Sequence, residues 1–165
     1  MPLMWITAKL STASYTYNGN TPAVKVTGAT NKEYKAIGLS KNVGKHTVTV
    51  TLSGSKYTGS KKLSYTIIPK KPTIKTPTKG KNYVTVKWSK MTTKMASKRI
   101  TGYQVQIARD KKFTKSLKSY KVKGYSKTSK KITGRSRKTT YYVRVRTYLG
   151  SYYSGWSSVK MVKTS

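Results

Sequence analysis

The chain has 165 residues and a mass of 18.5 kDa, enough for one large domain or two small ones. Thirty-six Lys and Arg residues stand against two acids, Glu33 and Asp110, so the formal net charge is +34. Two acids are too few for paired carboxylates or acidic metal cages, and the absence of cysteine excludes thiolate sites. With His46 as the single histidine, we predict no catalytic residue, metal or cofactor.

The first half predicts a β domain over residues 1–69. Its apolar residues fall in short runs that alternate with polar ones, a period of two that places one face of a strand on a core. The runs are Ile6 to Leu10, Tyr15 and Tyr17 before the turn Asn18-Gly19, Val24 and Val26, His46 to Leu52, and Leu63 to Ile67, with a turn around Tyr57. His46 shares the phase of Val48, which predicts a half-buried structural imidazole rather than a ligand.

A proline-rich break follows at Ile68-Pro69-Lys70-Lys71-Pro72. Two prolines so close together favour an extended, fairly stiff segment. We therefore predict a connector at residues 70–72.

The second half, residues 73–165, predicts seven short strands separated by turn residues. Their inward phases are Val84 to Trp88, Tyr103 to Ile107, Tyr120 and Val122, Ile132, Tyr141 to Val145, and Val159 with Met161, where the adjacent Val162 suggests a bulge. This spacing is typical of an antiparallel sandwich. The predicted fold class is all-β, with two tandem antiparallel β-sandwich domains of the immunoglobulin-like or fibronectin type III kind.

The start of the chain, MPLMWITAKL, has neither a basic beginning nor a long apolar run. We therefore expect no signal peptide in this chain, and no stretch is long and apolar enough for membrane insertion. This leaves two expectations open, a mature fragment with an added start or a protein made in the cytoplasm.

Four segments of the second half resemble a fibronectin type III domain, of the Lys-rich kind found in surface proteins of Gram-positive bacteria. They are Val84 to Trp88, ITGYQVQI at Ile100 to Ile107, TYYVRVRTY at Thr140 to Tyr148, and SGWS at Ser154 to Ser157. The resemblance implies that Trp88 is the core tryptophan and that the Tyr141 hydroxyl ties back to the preceding loop. Arg135 stands where that family usually has a leucine.

The first half is similar to the bacterial Ig-like modules that often precede such domains. The matching segments are SYTYNG at Ser14 to Gly19, VGKHTVTVT at Val43 to Thr51, and KLSYTIIP at Lys62 to Pro69. Between Val26 and Val43 the chain is shorter than that family, which suggests a trimmed edge hairpin. Together, the two resemblances imply adhesion or spacing at a surface without catalysis.

The sequence also predicts a ladder of cations and aromatic rings on the outward face of one strand. Its members are Tyr142, Arg144, Arg146 and Tyr148, with Trp156 on a neighbouring strand. Such a ladder is either a platform for carbohydrate or polyanion, or a stack that covers the sheet and stiffens its last strands. The structural interpretation is favoured.

Basic residues elsewhere complete the candidate polyanion-binding set. They are Lys70, Lys71, Lys75, Lys79, Lys81, Arg135, Arg137 and Lys138. Lys outnumbers Arg by about five to one, whereas sites that read bases or phosphates favour the planar fork of Arg. Exposed tyrosines would add stacking surface, but Tyr is also common on any half-buried pleated face. Asp110 is interpreted as a turn residue and Glu33 as a loop ion-pair partner.

We therefore expect a non-enzymatic module on an extracellular surface, the cell wall or a virion. Its expected partner is an anionic polysaccharide or wall polymer, captured electrostatically. One alternative is a virion decoration or fibre protein, whose partner would include a capsid or other surface protein. The other is a non-specific nucleic-acid-binding protein; specific reading of nucleic acid is not expected.

Overall fold

A computed structural model of the protein describes residues 8–29, 33–53, 58–91 and 99–165. Every regular element in these ranges is a β-strand, which confirms the predicted all-β class. The chain divides into two compact units, Met1–Ile68 and Pro69–Ser165. Across the described ranges, no helix has the length and apolar character needed to cross a membrane.

The first unit contains a four-stranded sheet. Its strands are β1 (Ser14–Thr16), β2 (Tyr34–Ile37), β3 (Gly44–Ser53) and β4 (Thr58–Ile68), in the order β1-β4-β3-β2. β3 and β4 form a long antiparallel pair, and Val48, Val50, Tyr65 and Ile67 are buried on it. The predicted turn around Tyr57 and the predicted strand residue Ile6 lie outside the described residues.

Two features of this unit depart from a simple antiparallel pattern. β1 runs parallel to the last three residues of β4 and thereby covers that edge of the sheet. Leu10 and Val26 form an isolated antiparallel bridge, and the Tyr34 hydroxyl donates to the Val24 carbonyl 3.1 Å away, which ties this bridge region to β2. β2 is the strand that the structure describes between Val26 and Val43.

His46 is half-buried, as its phase predicted. Its Nε2 lies 2.7 Å from the Asn42 carbonyl oxygen, and its ring centroid is 5.5 Å from that of Tyr65. A local hydrogen bond and a ring contact account for this imidazole as part of the unit's structure.

The second unit is a sandwich of two sheets. Its strands are β5 (Ile74–Lys79), β6 (Val84–Trp88), β7 (Gly102–Ala108), β8 (Lys118–Lys123), β9 (Ser129–Ile132), β10 (Thr140–Leu149), β11 (Tyr152–Tyr153) and β12 (Lys160–Lys163). One sheet has the order β5-β6-β9, and the other has β11-β10-β7-β8 with β12 also on β10. Inward residues of β6, β7 and β10 are fully buried and form the core: Val84, Val86, Trp88, Tyr103, Val105, Ile107, Val143 and Val145.

The structure bears out both core roles that the resemblance implied. Trp88 is fully buried and donates its indole N–H to the Lys127 carbonyl, 2.8 Å away. The Tyr141 hydroxyl accepts a hydrogen bond from the Ser136 backbone N–H at 2.9 Å. Arg135 lies over the Tyr141 ring, with 5.9 Å from its Cζ to the ring centroid, so a cation covers the corner where that family has a leucine.

The predicted phase of the last strand is wrong. Met161 is 64% exposed, whereas Val162 is buried in its place. Residues 154–159 leave the regular strand between β11 and β12. This irregular segment resets the alternation, so the residues before it do not set the phase of β12.

Candidate functional site

Two arginines lie on the outer face of β10, opposite the core. Arg144 and Arg146 alternate with the buried residues Val143 and Val145 along the strand. The register with β7 pairs Arg144 with Gln106 and Arg146 with Gln104. The period of two therefore places each guanidinium beside a glutamine of the neighbouring strand.

These glutamines fix the arginine side chains. Arg144 donates its Nε–H to Gln106 Oε1 at 2.8 Å, and Arg146 donates its Nε–H to Gln104 Oε1 at 2.7 Å. Gln106 in turn donates from Nε2 to the Ser119 hydroxyl on β8 at 2.8 Å. The hydrogen bond to Ser119 thus orients the Gln106 amide so that its oxygen faces the Arg144 guanidinium.

Aromatic rings cover the faces of both guanidiniums. The Arg144 Cζ lies 4.0 Å from the Phe113 ring centroid and 4.3 Å from that of Trp156. The Arg146 Cζ lies 4.3 Å from the Trp156 ring and 3.9 Å from the Tyr153 ring. We call these five residues, Phe113, Arg144, Trp156, Arg146 and Tyr153, the arginine stack. Contacts of this kind each stabilise by about 0.5–1 kcal/mol at exposed sites and by more when desolvated.

Phe113 reaches the stack from a strained loop. Its φ of 60° and that of Ser116, 51°, are in the left-handed region that bulky residues rarely adopt. The Asp110 carboxylate accepts hydrogen bonds from the Thr114 hydroxyl and from the N–H groups of Thr114 and Lys115, at 2.7–2.9 Å. The Lys115 N–H has the largest effect and lowers the pKa of Asp110; desolvation, which is next, opposes it. The Thr114 hydroxyl and the N–H groups of Thr114 and Lys112 lower the pKa further, so it lies below its usual range. Asp110 is therefore the turn residue that the sequence predicted, and it supports one end of the stack.

Trp156 reaches the stack from the irregular segment between β11 and β12. The hydroxyls of Ser154 and Ser157 accept hydrogen bonds from the β10 backbone N–H groups of Thr147 and Val145, at 3.0 and 3.1 Å. Both serines are buried. The serines thus hold the segment against β10 where it is no longer a regular strand, and the indole between them lies over the arginines.

The predicted ladder is correct in three members and wrong in two. Arg144, Arg146 and Trp156 meet as expected. Tyr148 is on the same strand face but only 4% exposed, because the Tyr153 ring and the Lys121 ammonium cover it, with 5.1 Å from Lys121 Nζ to the Tyr148 centroid. Tyr142 is half-buried on that face and has no ring or cation contact within the described part of the chain.

Phe113 and Tyr153 were not predicted as stack members. Gln104 and Gln106, which alternate with the inward residues of Tyr103 to Ile107, had no predicted role. The alternation places both glutamines on the outward face, where residues of adjacent antiparallel strands are neighbours, but it does not set the register that pairs them with the arginines. Phe113 lies in a loop with left-handed backbone, and no periodicity reports where such a ring points.

The two arginines carry charge in a partly desolvated place. Burial, and then repulsion from Arg146, lowers the pKa of Arg144; burial likewise lowers the pKa of Arg146. A guanidinium nonetheless stays protonated at any physiological pH. Within the residues that the structure describes, no protein atom accepts a hydrogen bond from the Nη atoms of either side chain.

The other candidate basic residues do not join the stack. Seven of these basic residues are exposed: Lys70, Lys71, Lys75, Lys79, Lys81, Arg137 and Lys138. Lys70 and Lys71, together with Lys90, line a small cavity of about 150 Å³ at the start of the second unit. Arg135 is half-buried over Tyr141. These cations contribute to the field around the protein rather than to one constructed site.

The chain is similar in fold to solved fibronectin type III structures. A crystal structure of chicken CNTN1 FN1-FN3 domains matches with a TM-score of 0.50 and 20% identity, over 74% of this chain and 43% of that one. The chain thus spans less than half of the length of that relative. Solution structures of the fn3 domains of human contactin 1 and of human collagen alpha-1(XX) chain have TM-scores of 0.48 and 0.46. Their identities are 17% and 16%, and they match 58% and 57% of this chain over 76% and 83% of theirs.

No family model matches the chain. No curated protein matches it either. At the identities above, the similarity to solved structures shows the fold alone: an all-β chain with a fibronectin type III-like sandwich.

Proposed function

We propose that this protein is a non-enzymatic surface module that captures anionic polymers, such as a wall polymer or an acidic glycan. The observation that carries the proposal is the charge: 36 basic residues against two acids on a chain that folds into β-sheets. The setting that we propose is an extracellular surface, either a cell wall or a virion.

A charge of this size acts on a polyanion in two ways. It accelerates encounter over the Debye length, about 8 Å at physiological ionic strength. Each cation that neutralises a group of the polymer also releases a counterion, so affinity falls steeply with salt. The lysines supply this general attraction, and the exposed members among the candidate residues lie on both β5 and the loops of the second unit.

The arginine stack supports an acidic glycan or wall polymer over a single-stranded nucleic acid. Proteins that bind single strands stack bases on exposed aromatic faces. Here the two guanidiniums already lie over the Trp156 ring, Arg146 also lies over Tyr153, and Arg144 also lies over Phe113. Bases would have to displace these cations before they could stack on the rings.

The test is a binding titration of the full chain against four probes at increasing salt. The probes are polygalacturonate, purified wall teichoic acid, duplex DNA of matched charge, and neutral dextran as the control. We expect the two acidic polymers to bind with a steep salt dependence and dextran not to bind. Absence of binding to both acidic polymers at 50 mM salt overturns the proposal. Tighter binding of DNA than of either polymer, at matched charge, replaces it with the nucleic-acid alternative.

A further inference from the structure

We infer that the arginine stack is a binding site for oxoanions, in which the outward Nη edges of Arg144 and Arg146 hold carboxylate or phosphate groups of an acidic polysaccharide. The inference rests on the proposed function and deepens it, because it assigns recognition to two residues rather than to the general charge.

Each of the two guanidiniums can bind a ligand only along its Nη edge. A guanidinium has five N–H groups in a plane and accepts nothing. In each arginine the Nε–H is bound to a glutamine and aromatic rings lie over the faces of the plane. The Nη groups that remain have no acceptor among the described protein atoms. Only an edge is left for a ligand, and that edge is the fork that binds two oxygens of a carboxylate or phosphate.

The stack also fixes this fork before any ligand arrives. A long cationic side chain ordinarily loses rotamer freedom when it binds a ligand, and this loss opposes binding. Here the Nε hydrogen bonds and the ring contacts already hold both arginines in one orientation. Some lysines also contact a ring, as Lys131 does with Tyr83, but no lysine in the described ranges has both a glutamine acceptor and two rings over it. The stack should therefore bind more tightly per charge than the described lysines do.

The charged side chains that contact the rings of the stack are cations. Arg144 and Arg146 contact the same indole, and Lys121 lies next to Tyr153 with 5.9 Å from its Nζ to that ring. The nearer of the two acids in sequence, Asp110, has its carboxylate engaged by Thr114 and Lys115. An incoming anion would neutralise cations that are partly removed from water, where the attraction is stronger than in bulk solvent.

The spacing suits a polymer better than a single ion. Residues two apart on a strand are separated by about 6.6 Å, and both guanidiniums contact the Trp156 ring. Two acidic groups of one extended chain can therefore bind to the two forks at once. The second group binds intramolecularly, which raises the affinity for a polymer above that for the free acid.

The experiment compares Arg146→Lys with Arg137→Lys in the full chain, with polygalacturonate as the carboxylate probe and polyphosphate as the phosphate probe. Both variants keep the charge, and Arg137 is an exposed arginine that is not in the stack. The probe compared is the one that the unmodified chain binds more tightly. We expect Arg146→Lys to weaken the affinity for it about tenfold with an unchanged salt dependence, and Arg137→Lys to change that affinity less than about twofold. Equal effects of the two substitutions overturn the inference while leaving the proposed function intact. Failure of the unmodified chain to bind either probe overturns the inference, and the proposed function falls with it only if wall teichoic acid is not bound either.

A second variant guards against a loss that comes from misfolding. In Gln104→Glu a carboxylate replaces the amide that accepts the Arg146 Nε–H. The hydrogen bond that holds Arg146 is kept, but the added negative charge neutralises its guanidinium. Asn82→Asp, at an exposed position, makes the same one-unit change of charge as the control. We expect Gln104→Glu to keep the melting temperature and to weaken polygalacturonate binding about tenfold, against less than about twofold for Asn82→Asp. Equal losses in these two variants contradict the site. A larger effect of Arg146→Lys on duplex DNA than on polygalacturonate contradicts the assignment to an acidic polysaccharide.

Discussion

The two faces of β10 are packed by different physical means. On the inner face, Val143 and Val145 are fully buried in the sandwich core. On the outer face, Arg144 and Arg146 are covered by rings and held by glutamines. The pleat separates these faces by one residue, so a single strand carries an apolar core on one side and a fixed pair of cations on the other.

The free energy of folding and the proposed recognition thus belong to opposite faces of the strand. Burial of apolar area is the main stabilising contribution, and it belongs to the inner face. The outer face gains from cation–π contacts but keeps like charges close together, which offsets part of that gain. Changes on the inner face should therefore affect folding, whereas changes on the outer face should affect binding more than folding.

Val145→Ala tests the inner face and should have the largest effect on stability. Removing two buried methyl-sized groups and leaving a cavity costs about 2 kcal/mol of unfolding free energy. Urea denaturation followed by tryptophan fluorescence measures it, because Trp88 lies in the same core. Polygalacturonate affinity of the folded variant should stay within about twofold of the parent, since no stack residue is changed. A loss of affinity with normal stability would contradict the separation of the two faces.

Trp156→Ala tests the outer face. It removes the ring that both arginines contact, and we expect a loss of about 1–2 kcal/mol in unfolding free energy from two cation–π contacts. It should also weaken polygalacturonate binding, because the guanidiniums are released. Trp156→Phe is the control, since a smaller ring keeps part of the stacking and should keep part of both properties. Unchanged stability and affinity in the alanine variant would show that the contacts are incidental.

Asp110→Ala tests the support of the stack and should have a smaller effect that depends on pH. The pKa of Asp110 is lowered in the folded state, so its carboxylate stabilises the fold above the unfolded pKa of about 3.9. That stabilisation is lost as the pH falls through the lower folded value. The melting temperature of the variant should therefore lie below that of the parent at pH 7, and the two should converge towards pH 2. A gap that does not change with pH would mean that the carboxylate charge plays no part.

Tyr142→Thr should have the smallest effect. Tyr142 shares the strand face with the arginines but does not contact the stack in the described residues. Threonine keeps a strand-favouring residue there, so we expect unfolding free energy to change by no more than about 0.5 kcal/mol. Polygalacturonate affinity, measured in the same titration, should change less than about twofold. A tenfold loss would extend the binding site beyond the stack.

The sequence predicted the inner face well, because alternation is a local signal. The phases of Val84 to Trp88, Tyr103 to Ile107 and Tyr141 to Val145 all match buried positions. The same signal failed at Met161, where residues 154–159 interrupt the strand. Alternation is counted from neighbour to neighbour, so one irregular segment is enough to invert it.

The outer face was only half predictable, because it depends on contacts distant in sequence. The periodicity put Arg144 and Arg146 on one side of β10. Trp156 was predicted on a neighbouring strand, but it lies in the irregular segment between β11 and β12. The partners Gln104 and Gln106 depend on the register between β7 and β10, which the strand pattern does not specify. Phe113 depends on a left-handed loop supported by Asp110, a conformation against the residue's own preference.

The decisive measurement is a titration of the full chain with polygalacturonate, followed by the NMR signals of the arginine side chains. If the stack binds oxoanions, the guanidinium resonances of Arg144 and Arg146 shift first, at the lowest ratio of polymer to protein. The resonance of the exposed Arg137 shifts later and less. Shifts that begin at Arg137 and the lysines, with Arg144 and Arg146 unmoved at saturation, would contradict an arginine site and leave only a diffuse field of charge.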